Sequence, residues 1–366
     1  MTKAERRAYE LQLRGVAKRL GIPLRGATED AIIHHCKSEV EKWILAHGQQ
    51  QTLTDLLQLV TGSLNLDVAE IRDDRDLEQL LRRIPPDEEP AMARLQTELD
   101  DQTDAITLQR RYHRSWERPY LAVINCRGWH VFRKYFSKWH EVVHLLLDGK
   151  QLSFAFRRTT VMRREPEEML VDRVAAVLAF YPDIFDPVFQ EELKSAGQLT
   201  FDVVDRVRHR VAPEASRHAT LLACLRHCPH PVYFVQVGMG YKRGEEQSLT
   251  HPQAEFFPNE VPRPQPKLRV REAAASPAVE HLGIRVHKNM EVPPSSVVAS
   301  AFEDPFSLPH TGCESLHAWR TSASGPIGYG EVDVEAVRLD EQVWALLRFR
   351  QEAKASTRNR TKQLSI

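Results

Sequence analysis

Apolar positions along the chain fall into a helical rhythm at the N-terminus and an alternating one toward the C-terminus. Leu11, Val16 and Leu20, then Ile32, Ile33, Val40, Trp43 and Ile44, recur at helix-like intervals. This spacing predicts two helices over residues 2–47, broken at Gly21-Ile22-Pro23, with Thr28 as N-cap of the second. Leu53 to Val60 reads as a short helix, followed by an apolar segment from Leu64 to Ile71. The paired prolines in Arg82–Pro90 stop both helix and sheet and predict a polar loop.

The run Pro119-Tyr-Leu-Ala-Val-Ile-Asn125, apolar and partly β-branched, predicts a buried strand. Helices are expected over roughly Arg133–Leu147 and Pro166–Phe180, stopped by Asp148-Gly149 and Tyr181-Pro182. Two more helices are expected around Val211-Ala-Pro213, then a strand at Pro231–Val237. Five prolines between Pro252 and Lys267 mark a linker. Strand-like pieces follow at Leu268–Val270, Gly283–Val286, Gly330–Val337 and Val343–Leu347. These elements predict an α+β chain: a helical N-terminal extension (1–50), a core with a following helix pair (51–245), a Pro-rich linker (246–268), a mixed sheet-containing domain (269–353) and a disordered basic tail (354–366).

Composition narrows the class. The chain has 366 residues, 42% of them hydrophobic and 27% charged, which is enough apolar material for two or three compact units. No apolar run reaches the ~18 residues that span a bilayer, so no membrane partner is expected. Charged sequence at the start argues against a secretory signal, and five scattered cysteines suit a reducing cytoplasm. The 50 basic and 50 acidic residues cancel, which removes the overall attraction expected of a dedicated nucleic-acid binder and leaves only a local patch as a route to DNA.

The sharpest chemical feature is Phe136-Ser-Lys-Trp-His140-Glu141-Val-Val-His144. On a helix, positions i and i+4 share a face, so two imidazoles can converge on one ion, with Glu141 beside them as a general base. Chance also generates this spacing, in which case the histidines would simply hydrogen-bond. The apolar flanks favour a metal, because a buried imidazole needs a partner. A third ligand should come from a neighbouring helix, and Glu165–Leu178 offers acids at its start, with Glu168 and Asp172 on one face.

Together these residues resemble the ImmA/IrrE metallopeptidases. The likeness runs from roughly Leu53 to Tyr241 through Leu121-Ala-Val-Ile-Asn, Phe136-Ser-x-x-His-Glu-x-x-His, Glu168-x-x-x-Asp-x-x-Ala-Ala and the helices around Pro213. It implies a zincin-like helical core and one zinc per chain, held by His140, His144 and Glu168, with Glu141 as base. It also implies cleavage of a helix-turn-helix repressor in a stress or mobile-element response, and a GAF-like C-terminal sensor. Asp172 stands where the family usually has asparagine; it is open to coordinating in place of Glu168 or to holding His140 or His144 from behind.

Two competing classes remain. One is a non-enzymatic scaffold that binds a partner protein or DNA, and the other is a metal-dependent hydrolase of small molecules. Lesser features have ordinary readings beside the functional ones. Cys224-Leu-Arg-His227-Cys228-Pro-His230 imitates a second zinc site, but four well-placed ligands are not evident and the cysteines read rather as small core residues. The helices near 200–225 resemble a DNA-binding pair, but the turn lacks a strong positive cluster and they read rather as a packing unit. Tyr112, His113 and His130 are candidates for stabilising an oxyanion, and the glycines of Gly238–Gly244 read as a loop.

Overall fold

A computed structural model describes residues 3–23, 25, 28–83, 95–110, 117–148, 156–159, 165–242, 244–245, 265–304, 306, 308–321, 325–326 and 330–350. The loop expected at Arg82–Pro90, most of the Pro-rich linker and the basic tail lie largely outside them. The fold is α+β and divides into two compact units: Met1–Ser195 with Val203–Ala223, and Ala196–Asp202 with Cys224–Ile366.

The first unit opens with α1 (Lys3–Arg19) and α2 (Glu29–His47). Tyr9, Leu13, Val16 and Ala17 form the buried stripe of α1, and Ile32, Cys36 and Val40 that of α2. The Thr28 hydroxyl accepts from the Ala31 amide at 3.2 Å, the expected N-cap. Next come α3 (Leu53–Ser63), started by a reciprocal Thr52–Asp55 capping box, β1 (Leu66–Ile71) and α4 (Asp74–Arg83). Strands β2 (Thr103–Gln109) and β3 (Tyr120–Asn125) lead through a 3-10 turn (Gly128–Arg133) into α5 (Lys134–Asp148). Then follow β4 (Phe156–Thr159), α6 (Pro166–Leu178), α7 (Pro182–Ala196), α8 (Phe201–Val211) and α9 (Arg217–His227).

The four-stranded sheet has the order β1-β3-β2-β4; β1 runs parallel to β3, and the other pairs are antiparallel. Leu121 to Ile124 are all buried, because β3 is an inner strand with α5 packed against it and β2. Helices α5 and α6 are antiparallel neighbours: Tyr135, at the start of α5, donates to the Ala179 carbonyl just past the end of α6 at 2.5 Å. The N-terminal helices are not a separate extension, since both pack against α6 within the first unit.

Helix α7 has no counterpart in the sequence reading, where Pro182 marked only an end. Proline is well tolerated at a first helical position, whose amide needs no partner. Ile184, Phe185, Phe189 and Leu193 then bury one face and carry the helix past Pro187.

The second unit contains a five-stranded antiparallel sheet in the order β6-β5-β11-β10-β7. Its strands are β5 (Val232–Gly240), β6 (Lys267–Ala275), β7 (His310–Ser315), β10 (Glu331–Leu339) and β11 (Gln342–Phe349); a two-residue pair, β8 (Arg320–Thr321) and β9 (Gly325–Pro326), lies between β7 and β10. Helix α10 (Val297–Glu303) packs on β10 and β7. The proline-rich stretch therefore does not separate the two units. Strand β5, on its N-terminal side, is buried from Val232 to Val235 and pairs with both β6 and β11. Gly283–Val286, expected as a strand, is irregular: Ile284 and Val286 are buried in the core without a strand partner, and the Tyr233 hydroxyl binds the Ile284 carbonyl at 2.9 Å.

An ion cluster ties the sheet to α5. Lys138 Nζ lies 2.8 Å from Glu70 Oε1 on β1 and 2.9 Å from Glu214 Oε2, and Arg72 is 3.0 Å from Glu70 Oε2. Burial pushes the Glu70 carboxyl up, but hydrogen bonds from Lys138 and Arg72 and the charges of Lys138 and Lys134 outweigh it and hold it at about 2, against an ordinary 4.5. The stability this provides is complete above pH 4.5 and is lost as pH falls toward 2. Glu70→Gln should destabilise the fold by about 1–3 kcal/mol at neutral pH. Its stability curve should also be flatter than wild type between pH 4.5 and 2, measured by denaturant titration across that range.

Candidate metal centre

Helix α5 is buried almost all round: Tyr135, Trp139, Val142, Val143, Leu145 and Leu147 are core residues. Inside that apolar frame His140, Glu141 and His144 are 1%, 0% and 2% exposed. Three ionisable side chains this deep require partners, because an unpaired buried polar group costs several kcal/mol. Neighbouring elements supply them.

His140 Nε2 lies 3.0 Å from Glu168 Oε2 and 3.0 Å from His144 Nε2; His144 Nε2 is 3.4 Å from Glu168 Oε1. On the far side of the ring, His140 Nδ1 is 3.0 Å from Asp172 Oδ1. A carboxylate there accepts a hydrogen bond from Nδ1–H, which keeps the proton on Nδ1 and leaves the Nε2 lone pair facing His144 and Glu168. Two ring nitrogens crowded against each other and a carboxylate, all within 4.8 Å, form a donor set suited to a divalent transition metal. Among the described residues this is the one group of its kind.

The geometry distinguishes the two acids of α6. Glu168 reaches both inward-facing nitrogens, whereas Asp172, one turn on, stands behind His140 and orients it. Burial pushes the Glu168 carboxyl up, but the hydrogen bond with His140 and the charges of His144 and His140 hold it below its ordinary value. It is therefore anionic at neutral pH, as a metal ligand must be.

Glu141 points to the sheet side. The Thr107 hydroxyl on β2 donates to Glu141 Oε2 at 2.7 Å, with both groups buried. Sequence reasoning missed Thr107. Its only trace is a polar residue within the apolar run Ala105–Leu108.

The lesser candidates divide. Tyr112 and His113 lie outside the described residues. His130 is engaged at both ring nitrogens, by Asp104 Oδ1 and by the Asp101 carbonyl, each at 2.9 Å. Cys224 and Cys228 are buried free thiols, and burial pushes both thiols up, away from the thiolate a metal would need. The arginines of α8 are matched by acids: Arg206 and Arg210 by Glu192, Arg208 by Asp205; Arg217 on α9 also pairs with Asp205. No helix among the described residues is long and apolar enough to cross a membrane.

In comparisons with known proteins, the chain matches no protein-family profile and no curated protein sequence. The meaning of the site therefore rests on its geometry and on the resemblance of its motifs.

His144→Ala should abolish stoichiometric metal binding, measured by elemental analysis after dialysis against zinc. Glu168→Gln should weaken binding more than Asp172→Asn, for which a loss of about 10–100-fold is expected. A reversed order in a chelator-competition titration would exchange the roles of the two acids.

Proposed function

We propose that this protein is a zinc-dependent metallo-endopeptidase of the ImmA/IrrE kind that cleaves a helix-turn-helix transcriptional repressor. The observation that carries the reading is the convergence of His140, His144 and Glu168 on one point, with a buried carboxylate, Glu141, next to the first histidine. A site that serves only structure closes its metal with four protein ligands and has no use for a base. Three protein donors leave a coordination position free for chemistry.

His140, His144 and Glu168 would hold the zinc, which when bound polarises a carbonyl and makes water acidic enough to attack at neutral pH. The chain's own residues do the rest. Asp172 keeps the His140 proton on Nδ1, so that Nε2 remains a donor to the metal. Thr107 fixes one oxygen of Glu141, restricting rotation of the carboxylate. That carboxylate accepts a proton from the attacking water and passes it to the amine released from the cut peptide, a transfer worth about 10²–10⁴-fold in rate. The buried surroundings of α5 keep bulk water from competing for the proton.

In this reading the four-stranded sheet with α5 and α6 is a zincin-like core, and the antiparallel sheet of the second unit is the frame of a GAF-like sensor. A cytoplasmic location fits five cysteines that are all free. The repressor substrate is supported by the resemblance of the motifs alone.

Glu141→Gln is the deciding variant. The carboxamide nearly preserves shape and can keep the Thr107 contact, so zinc content should match wild type while cleavage of a helix-turn-helix repressor encoded beside this gene falls by at least about 10²-fold. Equal cleavage by the zinc-loaded variant would remove Glu141 from the mechanism. A wild type that binds the repressor tightly without cutting it would replace the enzyme by the scaffold.

A further inference from the structure

Glu168 and Asp172 are held less firmly by packing than the histidines they face. Their side chains are 35% and 31% exposed, against 1–3% for His140 and His144. The first turn of α6 also lacks a capping side chain, since Glu165 makes no such hydrogen bond. Leu170 and Val171 anchor the helix in the core, and polar contacts from outside that core bear on the partly exposed turn before them.

The residues next to the two acids make those contacts. Glu167, beside Glu168, accepts from Gln12 Nε2 at 2.8 Å and from Arg19 at 3.1 Å, both on α1. Arg173, beside Asp172, pairs with Glu29 at the start of α2, and its guanidinium lies 5.5 Å from the centre of the Tyr9 ring. The Tyr9 hydroxyl donates to the same Glu29 carboxylate at 2.7 Å, which joins α1, α2 and α6 in one cluster. Consecutive residues on a helix project about 100° apart, so one face of α6 is turned to the metal centre while the adjoining face is held by the N-terminal helices.

We propose that the α1–α2 pair is a positioning element for the metal centre, with Gln12, Arg19 and Glu29 as the positioning residues that hold Glu168 and Asp172 at the distance His140 and His144 require. This rests on the metal-centre reading above. Loosening the pair lets the first turn of α6 withdraw, which lowers metal affinity although none of the three residues touches the metal. Any partner that takes up the polar face of α1 would then act on the centre through α6.

The experiment measures zinc affinity of the full chain by competition with a chromogenic chelator, with melting temperature recorded on the same samples. Gln12→Ala/Arg19→Ala and Glu29→Gln should each raise the zinc Kd, the double variant by about tenfold. The swap Glu29→Arg/Arg173→Glu should recover much of the loss. Arg6→Ala, at an exposed pair within α1, should leave Kd unchanged. If the double variant does not fold, Glu29→Gln and the swap decide. Folded variants with lowered melting temperature and wild-type Kd would overturn the proposal, because that is the signature of helices that only add stability. A wild type that takes up no zinc would instead overturn the metal-centre reading itself, and this inference with it.

Discussion

The first unit is organised around the demand for partners made by three ionisable side chains buried on one helix. His140, Glu141 and His144 could not occupy the apolar interior unmet, and their partners come from two other elements of the chain. Thr107 arrives on β2, and Glu168 and Asp172 on α6. Meeting that demand sets the spacing of α5 from the sheet on one side and from α6 on the other. The antiparallel course of the helix pair follows, since the end of α6 meets the start of α5 at Tyr135 while its beginning meets His144.

The surrounding ion pairs extend the same logic outward. Lys138 projects from α5 to Glu70 on β1, so the helix is anchored to a strand at the sheet edge as well as to β2. On the opposite side α6 is gripped by α1 and α2 through Glu167 and Arg173. Exposed ion pairs contribute little stability singly, about 0–1 kcal/mol. What they provide here is direction, because each fixes the rotation of a helix that already carries a site residue.

The second unit has its own core, made of alternate residues from β5, β10 and β11 with Trp319, Leu316 and Val298. Its start before the proline-rich stretch follows from backbone hydrogen bonding. A strand with four consecutive buried residues, Val232 to Val235, needs neighbours on both edges, and these are supplied by β6 and β11. Proline content marks where regular structure stops. It does not say which strands on either side will pair.

What the sequence determined by itself was local. The i, i+4 spacing of His140 and His144 places two imidazoles on one helical face whatever surrounds the helix, and Thr28 caps α2 through an amide three residues away. The apolar run of β3 and the long helices α5 and α6 were legible for the same reason: periodicity acts over a few residues. Glu168 was within reach because it shares a face with Asp172, but spacing alone left their roles exchangeable. Only the tertiary structure separated them, by standing one carboxylate in front of the His140 ring and the other behind it. Thr107, the grip of α1 and α2 on α6, the persistence of α7 past Pro187 and the membership of β5 were likewise decided in three dimensions. Thr107, the α1–α2 grip and β5 each depend on a partner dozens of residues away, and a requirement of that kind leaves no period in the chain that must satisfy it.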